Sequence, residues 1–484
     1  MAMAAPRRRT GFLVVLFLAI AAPAWAQDGD WIEISRAGLR ATAEGRFHEA
    51  ERLFRDALRV SEQFPDDDLR RATSINNVAY ILHAQGRYLA AEPRYREALA
   101  LRESGLGKDH ADVAQSCNNL AELYRMLGRY AEAERLHQRA LEIREGQFGP
   151  DHPQVAQTLN NLAVLYATQG HYEEAEPLYQ RALAMRIGSY GDDHLTAAET
   201  RNNLATLYFA QGLYEEARPL YERALEIEQK ELGAAHPSLA TTLSNLAELH
   251  RAEGRLDEAI ELHQRAFELR ENTLGPNHPE TAQSLNNLAV AHFSNANYEQ
   301  AERLYKRSIA IAKATLGMNH PELALTLSNL AELYRAQRRF DEAEPLYHRA
   351  LTIDQRTFGA YHPNLAFGLN NLALLHYDRG AYVEAEELLS RALAIEEKAY
   401  GADHPELIVT LENYAAVLHA LGRYAEADEV NARAKSLASS LESAAPDTDQ
   451  TSLNSPAPRW RPARDVATTI PGPPPSPARP RSGL

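Results

Sequence analysis

Apolar residues recur along most of this chain at the three- and four-residue spacing of an amphipathic helix, and no run of strict alternation predicts a strand. In one representative stretch, Pro153 occupies a first helical position and the apolar spacing continues through Tyr166 until Gly170 interrupts it. A second helix is predicted from about Tyr172 to Ser189, and Gly191 follows as its C-terminal glycine. The pattern therefore predicts two antiparallel helices joined by a short turn.

This helix pair repeats with a period of 42 residues. The period is marked by one asparagine per unit, at Asn77, Asn119, Asn161, Asn203, Asn245, Asn287, Asn329, Asn371 and Asn413. A shorter, degenerate copy covers Trp31 to Phe64, which makes about ten units between residues 31 and 437. Because one helix pair cannot bury its apolar face alone, neighbouring pairs must stack, and we predict an all-α fold, an α-solenoid.

The repeats resemble tetratricopeptide repeats. The 42-residue form, with Leu-Asn-Asn-Leu-Ala at 159–163 and 285–289 and Gly-Pro-Asp-His-Pro at 149–153, is similar to the repeats of kinesin light chains. The resemblance implies a right-handed superhelix of helix-turn-helix repeats whose first helices line a concave groove for extended peptides, without catalytic residues. The chain departs from true light chains because it lacks their heptad coiled coil and carries an export signal, so a kinesin role does not follow.

The recurrent asparagines have two interpretations. The resemblance implies that they hold the backbone of a peptide in the groove, where a side-chain amide offers both a donor and an acceptor. A helical wheel supports this, because it places Asn119 opposite the apolar arc of Cys117, Leu120 and Tyr124. In the alternative interpretation, each asparagine ties adjacent first helices together. We favour the groove interpretation at this stage.

Three units also carry a glutamate and an arginine three residues apart, and their arginines, Arg125, Arg251 and Arg335, are further candidates for the groove. Such pairs are usually solvated helix pairs. The functional interpretation is that the arginines recognise acidic side chains or a carboxylate of the ligand. Phe209, Phe293 and Tyr377 stand at the equivalent place in other units and could form apolar sub-pockets.

Metal and catalytic sites are not expected. One histidine per unit recurs, at His110, His152, His194, His236, His278, His320, His362 and His404. Their spacing of one repeat, roughly 10 Å by the thickness of packed helices, is too wide for a shared zinc ion, so helix capping is the expected use. The single Cys117 excludes a disulfide scaffold and is interpreted as a buried small residue. No phosphate-binding loop or hydrolase motif is found, and we expect no cofactor and no enzymatic activity.

The two ends of the chain differ from the array. Residues 1–26 combine Arg7–Arg9, a short apolar run and an Ala-Trp-Ala site, which predicts a cleaved signal peptide. The domain prediction continues with a degenerate N-terminal repeat or cap at 27–67, the tandem array at 68–437, and a disordered tail rich in proline and arginine at 438–484. We expect a periplasmic or secreted protein without a stable membrane span; an uncleaved N-terminal anchor is the alternative.

These features favour an exported protein-protein interaction scaffold that binds protein or peptide ligands. The net charge of −15 argues against nucleic acid as a partner. The alternative is a structural assembly subunit whose groove is occupied by its own tail or by another copy. An accessory protein of an enzyme, or an unrecognised enzyme, is a weaker third option. The sequence does not determine the oligomeric state.

Overall fold

The computed structural model describes residues 26–65 and 68–444, so residues 1–25 of the predicted signal peptide and residues 445–484 of the predicted tail lie outside the described residues. The described residues form helices and no strands. The helices are α1 (Ala26–Ala43), α2 (Phe47–Ser61), α3 (Leu69–Ala84), α4 (Tyr88–Leu106), α5 (Ala111–Met126), α6 (Tyr130–Phe148), α7 (Pro153–Thr168), α8 (Tyr172–Tyr190), α9 (Leu195–Ala210), α10 (Tyr214–Leu232), α11 (Leu239–Ala252), α12 (Leu256–Leu274), α13 (Pro279–Ser294), α14 (Tyr298–Thr315), α15 (Pro321–Ala336), α16 (Phe340–Phe358), α17 (Pro363–Arg379), α18 (Tyr382–Tyr400), a 3-10 turn (Pro405–Leu407), α19 (Ile408–Ala420) and α20 (Tyr424–Ala444).

Consecutive helices pair into hairpins, with each odd-numbered helix as the first and each even-numbered helix as the second. The described part of the chain divides into two compact units: α1–α16, ending at His362, and α17–α20, beginning at Pro363. Within each unit, each hairpin packs against the next one along the chain. The predicted all-α solenoid of stacked helix pairs is confirmed.

The recurrent histidines cap the first helices. In α5, α7, α9, α13 and α15 the histidine before the helix accepts a hydrogen bond from the backbone N–H two residues later. His152 Nδ1, for example, lies 3.2 Å from the backbone nitrogen of Gln154. The bond satisfies one of the N–H groups that a helix start leaves unpaired, so the capping prediction is confirmed.

Glycine ends most of the second helices. Gly149, which follows α6, has φ +86°, and its N–H donates to the carbonyl of Glu145 at 2.9 Å. This left-handed conformation strains residues that have a Cβ, and the glycine therefore stops the helix as predicted. Pro177 is the sixth residue of α8, and the helix continues through it.

Small residues allow the helices to approach closely. Ala121 and its equivalents at 163, 205, 247, 289, 331, 373 and 415 are all buried on the first helices. The second helices fill the space between hairpins with buried tyrosines, such as Tyr179 and Tyr221. Cys117 is buried as expected, and burial raises the pKa of its thiol to about 11, so it is not a nucleophile.

The ends of the array extend the sequence pattern. Helices α1 and α2 form a hairpin in the segment of the degenerate copy, and Trp31 Nε1 donates to Ser74 Oγ of α3 at 2.8 Å. At the other end α20 runs to Ala444, so residues 438–444 belong to a helix rather than to the predicted tail. The reason is that no proline or glycine interrupts the sequence between Arg423 and Pro446. None of the described helices has the length and apolarity that crossing a membrane requires.

Candidate functional site: the asparagine face of the first helices

We call the side of the first helices that carries the recurrent asparagines the asparagine face. All nine asparagine side chains on it are buried: Asn77, Asn119, Asn161, Asn203, Asn245, Asn287, Asn329, Asn371 and Asn413. Asn119, which the helical wheel placed opposite the core, is only 4 % exposed. These side chains therefore lie within the packed array rather than on an open surface.

Hydrogen bonds between asparagines connect neighbouring first helices. Asn119 Nδ2 donates to Oδ1 of Asn76, the first asparagine of the preceding unit, at 3.1 Å. The same bond, between residues 43 positions apart, joins Asn203 to Asn160, Asn245 to Asn202 and Asn329 to Asn286. In the compact unit that begins at Pro363, it joins Asn413 to Asn370. An amide donates and accepts at once, so one residue type serves both ends of the bond.

This geometry fits the second interpretation of the asparagines, in which they tie adjacent first helices together. The wheel misled because it treats a helix as having one buried side. In a stack of hairpins, α5 packs against α3's hairpin, against its own partner α6 and also against the next first helix, α7. The side opposite the core is therefore covered by neighbouring first helices, and the binding of a peptide by these asparagines stays a prediction.

In one repeat, a histidine is the hydrogen-bond partner of the first asparagine's side-chain oxygen. Asn118 Oδ1 lies 2.8 Å from Nδ1 of the buried His137, and Asn118 Nδ2 donates to Thr158 Oγ1 at 3.2 Å. Burial, together with the charges of Arg125 and Arg144, lowers the pKa of His137 to about 3. The imidazole is therefore neutral and serves as a structural hydrogen-bonding group.

The three candidate arginines are fixed by the glutamates on their own helices. Arg125 donates to both carboxylate oxygens of Glu122, with Nε and Nη2 at 2.9 and 2.6 Å. Arg335 does the same to Glu332 at 2.8 and 2.8 Å, and Arg251 Nε donates to Glu248 at 2.9 Å. Their side chains remain 14, 12 and 11 % exposed, so they reach the surface where the asparagines do not.

Two of the glutamates also connect the first helix to the second. His263 Nε2 lies 3.0 Å from Glu248 Oε1, and the Tyr347 hydroxyl donates to Glu332 Oε2 at 2.9 Å. Burial alone would raise the pKa of Glu248, but the charge of Arg251 and the bond to His263 hold it well below its ordinary value. These pairs are therefore built into the hairpins and are not simply solvated helix pairs.

The expected apolar sub-pockets are not formed by Phe209 and Phe293. Both rings are buried and pack against tyrosines at the start of the following helix, with centroids 5.5 Å from Tyr214 and 5.6 Å from Tyr298. They fill their own hairpins because the short turn brings the two ring positions together. Tyr377 makes the same contact with Tyr382 at 5.2 Å and is half-buried.

A second polar column, on the second helices, was missed by the sequence reasoning. Arg144 reaches between two first helices, and its guanidinium donates to Gln115 Oε1 at 2.9 Å and Thr158 Oγ1 at 2.7 Å. Arg102, Arg186 and Arg270 make similar contacts one unit forward. The signal was present in the sequence, since arginine recurs with the same period of 42 residues.

Glu228 occupies the arginine position of this column in the unit between Arg186 and Arg270. Thr242 Oγ1 donates to Glu228 Oε1 at 3.1 Å, and no described group binds the buried Oε2. Burial raises the pKa of Glu228 to about 7, against the opposing effect of the Thr242 hydrogen bond. At this point the column therefore has a carboxyl group, part of which is protonated near neutral pH, in place of a guanidinium.

No cluster of three or more histidine, cysteine, aspartate or glutamate side chains that could hold a metal ion occurs in residues 26–65 and 68–444. The recurrent histidines lie in separate capping positions.

A protein-family model covers nearly the whole described chain. The model, described as tetratricopeptide repeat, matches residues 34–104, 70–146, 112–188, 169–230, 196–271, 238–314, 322–395 and 368–440. None of the curated proteins matches the sequence.

Several solved structures are similar to this chain. BtubC (BKLC) from P. vanneervenii is 25 % identical, with 48 % of this chain and 93 % of that chain covered and a TM-score of 0.39. The nearly identical TPR-like repeats of a kinesin light chain from Podosopora anserina are 28 % identical to this sequence. The match covers 43 % of this chain and 98 % of that chain, with a TM-score of 0.36. A Rap protein complexed with competence and sporulation factor is 16 % identical, with 77 % and 99 % covered and a TM-score of 0.50.

Proposed function

We propose that this chain, which belongs to the tetratricopeptide repeat family and has repeats of the kinesin light chain-like type, binds extended peptide segments along the asparagine face. Its solenoid is a protein-protein interaction scaffold. The scaffold acts by binding and has no enzymatic activity of its own. One similar fold, the Rap protein, has been solved in complex with competence and sporulation factor, which supports a ligand-binding role for such arrays.

The observation that carries the proposal is the repetition of Arg125, Arg251 and Arg335. Each stands at the same position of a first helix, is oriented by a glutamate three residues earlier, and remains partly exposed. A guanidinium in a fixed orientation can share its charge with a carboxylate of a ligand. The ligand class we propose is therefore an extended peptide with acidic side chains.

Peptide selection tests this proposal. A library of random extended peptides displayed on phage is selected against the purified chain, and the selected peptides are resynthesised. We expect acidic sequences whose affinity falls at least about tenfold in the Arg125→Ala/Arg251→Ala/Arg335→Ala variant, since a charge-assisted hydrogen bond contributes about 1.5–3 kcal/mol.

The control removes two arginines that are far more exposed and lie on second helices, Arg59→Ala/Arg303→Ala. Equal affinity of the two variants and the wild type, or selection of peptides without acidic residues, would contradict the proposal. Far-UV circular dichroism establishes that both variants are folded.

The burial of the asparagines favours a second candidate, the structural assembly subunit. Amides that already bond to each other offer fewer groups to a ligand, and the face can instead be covered by the chain's own tail or by another copy. Removal of residues 445–484 discriminates the two. Occlusion by the tail predicts tighter peptide binding after removal, whereas an open face predicts unchanged affinity.

Export is part of the proposal and rests on residues 1–26, of which 1–25 lie outside the described residues. Arg7–Arg9, the apolar run and Ala24-Trp25-Ala26 support a signal peptide and a periplasmic or secreted location. Expression of the full chain followed by mass spectrometry of the exported fraction should find a mature N-terminus at Gln27. A mature chain that retains Met1 in the membrane fraction would support the uncleaved anchor instead.

A further inference from the structure

Three of the recurrent histidines, in the compact unit that ends at His362, also bond to helices far away in sequence. His278 Nε2 lies 3.3 Å from the carbonyl oxygen of Ala43, His320 Nε2 lies 3.2 Å from that of Ala84, and His362 Nε2 lies 3.1 Å from that of Met126. The partners are 235 or 236 residues apart, which is about 5.6 repeat units. We call these bonds the long-range histidine contacts.

Each contact joins the start of one helix to the end of another. Nδ1 of His278 accepts the backbone N–H of Glu280, so its Nε2 carries the hydrogen that is donated to the carbonyl of Ala43. Ala43, Ala84 and Met126 are the last residues of α1, α3 and α5, whose final carbonyls have no partner within their own helix. One neutral imidazole therefore satisfies two helix ends at once.

Burial distinguishes the histidines that make these contacts from those that do not. His278 and His320 are 7 and 2 % exposed, whereas His194 is exposed and His152 is half-buried, although all four cap their helices in the same way. Two phenylalanines, each four positions before a histidine, show the same difference. Phe358, before His362, is 6 % exposed and lies 5.5 Å from the ring of Tyr88, whereas Phe148, before His152, is 38 % exposed.

The turns that receive the histidines have room only for glycine. A Cβ on Gly45 would lie 2.6 Å from Pro279 Cδ and 2.9 Å from the His278 ring, and one on Gly86 would lie closer still to Pro321 Cδ. The equivalent Gly254 has no described atom within 4 Å of its Cβ position. At the equivalent positions 296 and 338 the chain carries Ala296 and Arg338, in the same left-handed conformation.

We propose that the long-range histidine contacts are a conformational closure. They hold the hairpins α1–α2, α3–α4 and α5–α6 against the loops before α13 and α15 and the loop after α16, and they can be released without unfolding any hairpin. The interface includes these three hydrogen bonds, two proline–glycine contacts and the pair of rings between α4 and α16, and it is small beside the packing within each hairpin. Water can bind the carbonyls of Ala43, Ala84 and Met126 after release. These carbonyls therefore have hydrogen-bond partners in both the open and the closed form.

The histidine–proline loops fit only turns that carry glycine. Ala296 and Arg338 have a side chain at the positions equivalent to Gly45 and Gly86, so the turns at 296 and 338 cannot receive such a loop in the same way. The inference does not depend on peptide binding and applies to the free protein.

Distance measurement by electron paramagnetic resonance tests the closure in the full chain. Spin labels are attached at Glu44→Cys and Asn277→Cys, two exposed positions beside the first contact, in a Cys117→Ala background. We expect one short, narrow distance distribution. In the Gly45→Ala/Gly86→Ala variant it should shift by roughly 10 Å, the separation of packed helices, or more, while the helical circular dichroism stays constant.

The control for backbone strain is Gly254→Ala/Gly422→Ala, because these glycines have the same positive φ, +79° and +78°, and no described neighbour. A second variant, His278→Asn/His320→Asn, keeps a side chain that can cap its own helix and is too short to reach the distant carbonyl. It should also lengthen the distance, and the same change at His152 and His194 should not.

Unchanged distances in both the glycine and the asparagine variants would overturn the closure, as would an equal shift in the controls. A loss of helicity that accompanies the shift would also overturn it, because the contacts would then be part of the folded core. If Gly45→Ala/Gly86→Ala does not fold, the asparagine variant decides.

Discussion

At the scale of single residues, the polar groups between the first helices are paired with partners one unit away. Asn203 donates to Asn160 across 43 residues, and Arg144 donates to Gln115 and Thr158 on two different helices. Buried polar groups cost free energy when they lose a partner, so each of these residues has a structural role whatever it binds.

Replacing Asn203 by Ala should lower the free energy of unfolding by about 1–3 kcal/mol, because the buried Oδ1 of Asn160 loses its donor. Urea denaturation followed by circular dichroism measures this. Asn297→Ala, at an exposed position without a side-chain cap bond, is the control and should change stability by less than about 0.5 kcal/mol. A stable Asn203→Ala protein with weaker peptide binding would instead support the groove interpretation.

Glu228 should make stability depend on pH. Its pKa rises from the ordinary value of 4.5 to about 7 on folding because burial penalises the carboxylate. The folded state therefore binds more protons than the unfolded state between these values, and stability is lost as the pH rises through this window.

Glu228→Gln should remove that loss and raise the free energy of unfolding on the order of 2 kcal/mol at pH 8, with little gain at pH 4. Thermal unfolding at the two pH values measures the difference. Glu226→Gln removes an exposed charge from the same helix and should show no such pH dependence. An equal gain at both pH values would indicate a packing effect rather than ionisation.

At the scale of helices, local signals set the ends of each element. A histidine begins the first helix by accepting a backbone N–H, and a glycine in the left-handed conformation ends the second. These bonds involve residues two to four positions apart, so they form in the same way in nearly every unit.

His152→Ala should cost about 1 kcal/mol, because the N–H of Gln154 loses its cap. His348→Ala, on the exposed surface of α16, is the matched control and should leave the midpoint of thermal unfolding nearly unchanged. Equal midpoints for the two variants would show that water replaces the cap without loss.

At the scale of the whole molecule, stability comes from hairpins that pack against their neighbours along the chain. In the described part of the chain, the hairpin α1–α2 has one neighbouring hairpin along the stack, α3–α4, besides its contact with the loop at His278. It should therefore open before the hairpins that have a neighbour on both sides.

Trp31 is buried in that hairpin and reports on it directly. In a Trp25→Phe/Trp460→Phe background, its fluorescence should change at a lower urea concentration than the helical circular dichroism. Coincident transitions would show that the whole array unfolds cooperatively.

The sequence determined the fold because its signals are local and repeated. The period of 42 residues, the helical spacing and the positions of Pro153, His152 and Gly191 are sufficient to define the hairpins and their stacking. Cys117 could also be placed in the core, since its neighbours at helical spacing are apolar.

Only the tertiary structure decided what the polar residues do. A wheel of α5 shows which side of the helix carries Asn119, but the side is covered by neighbouring first helices that are 42 residues away. The contact of His278 with Ala43 could not be predicted either, because nothing in the sequence around His278 distinguishes this histidine from His152. It depends on how the small rotation between hairpins accumulates over several units, which is a property of the packed array and not of any one repeat.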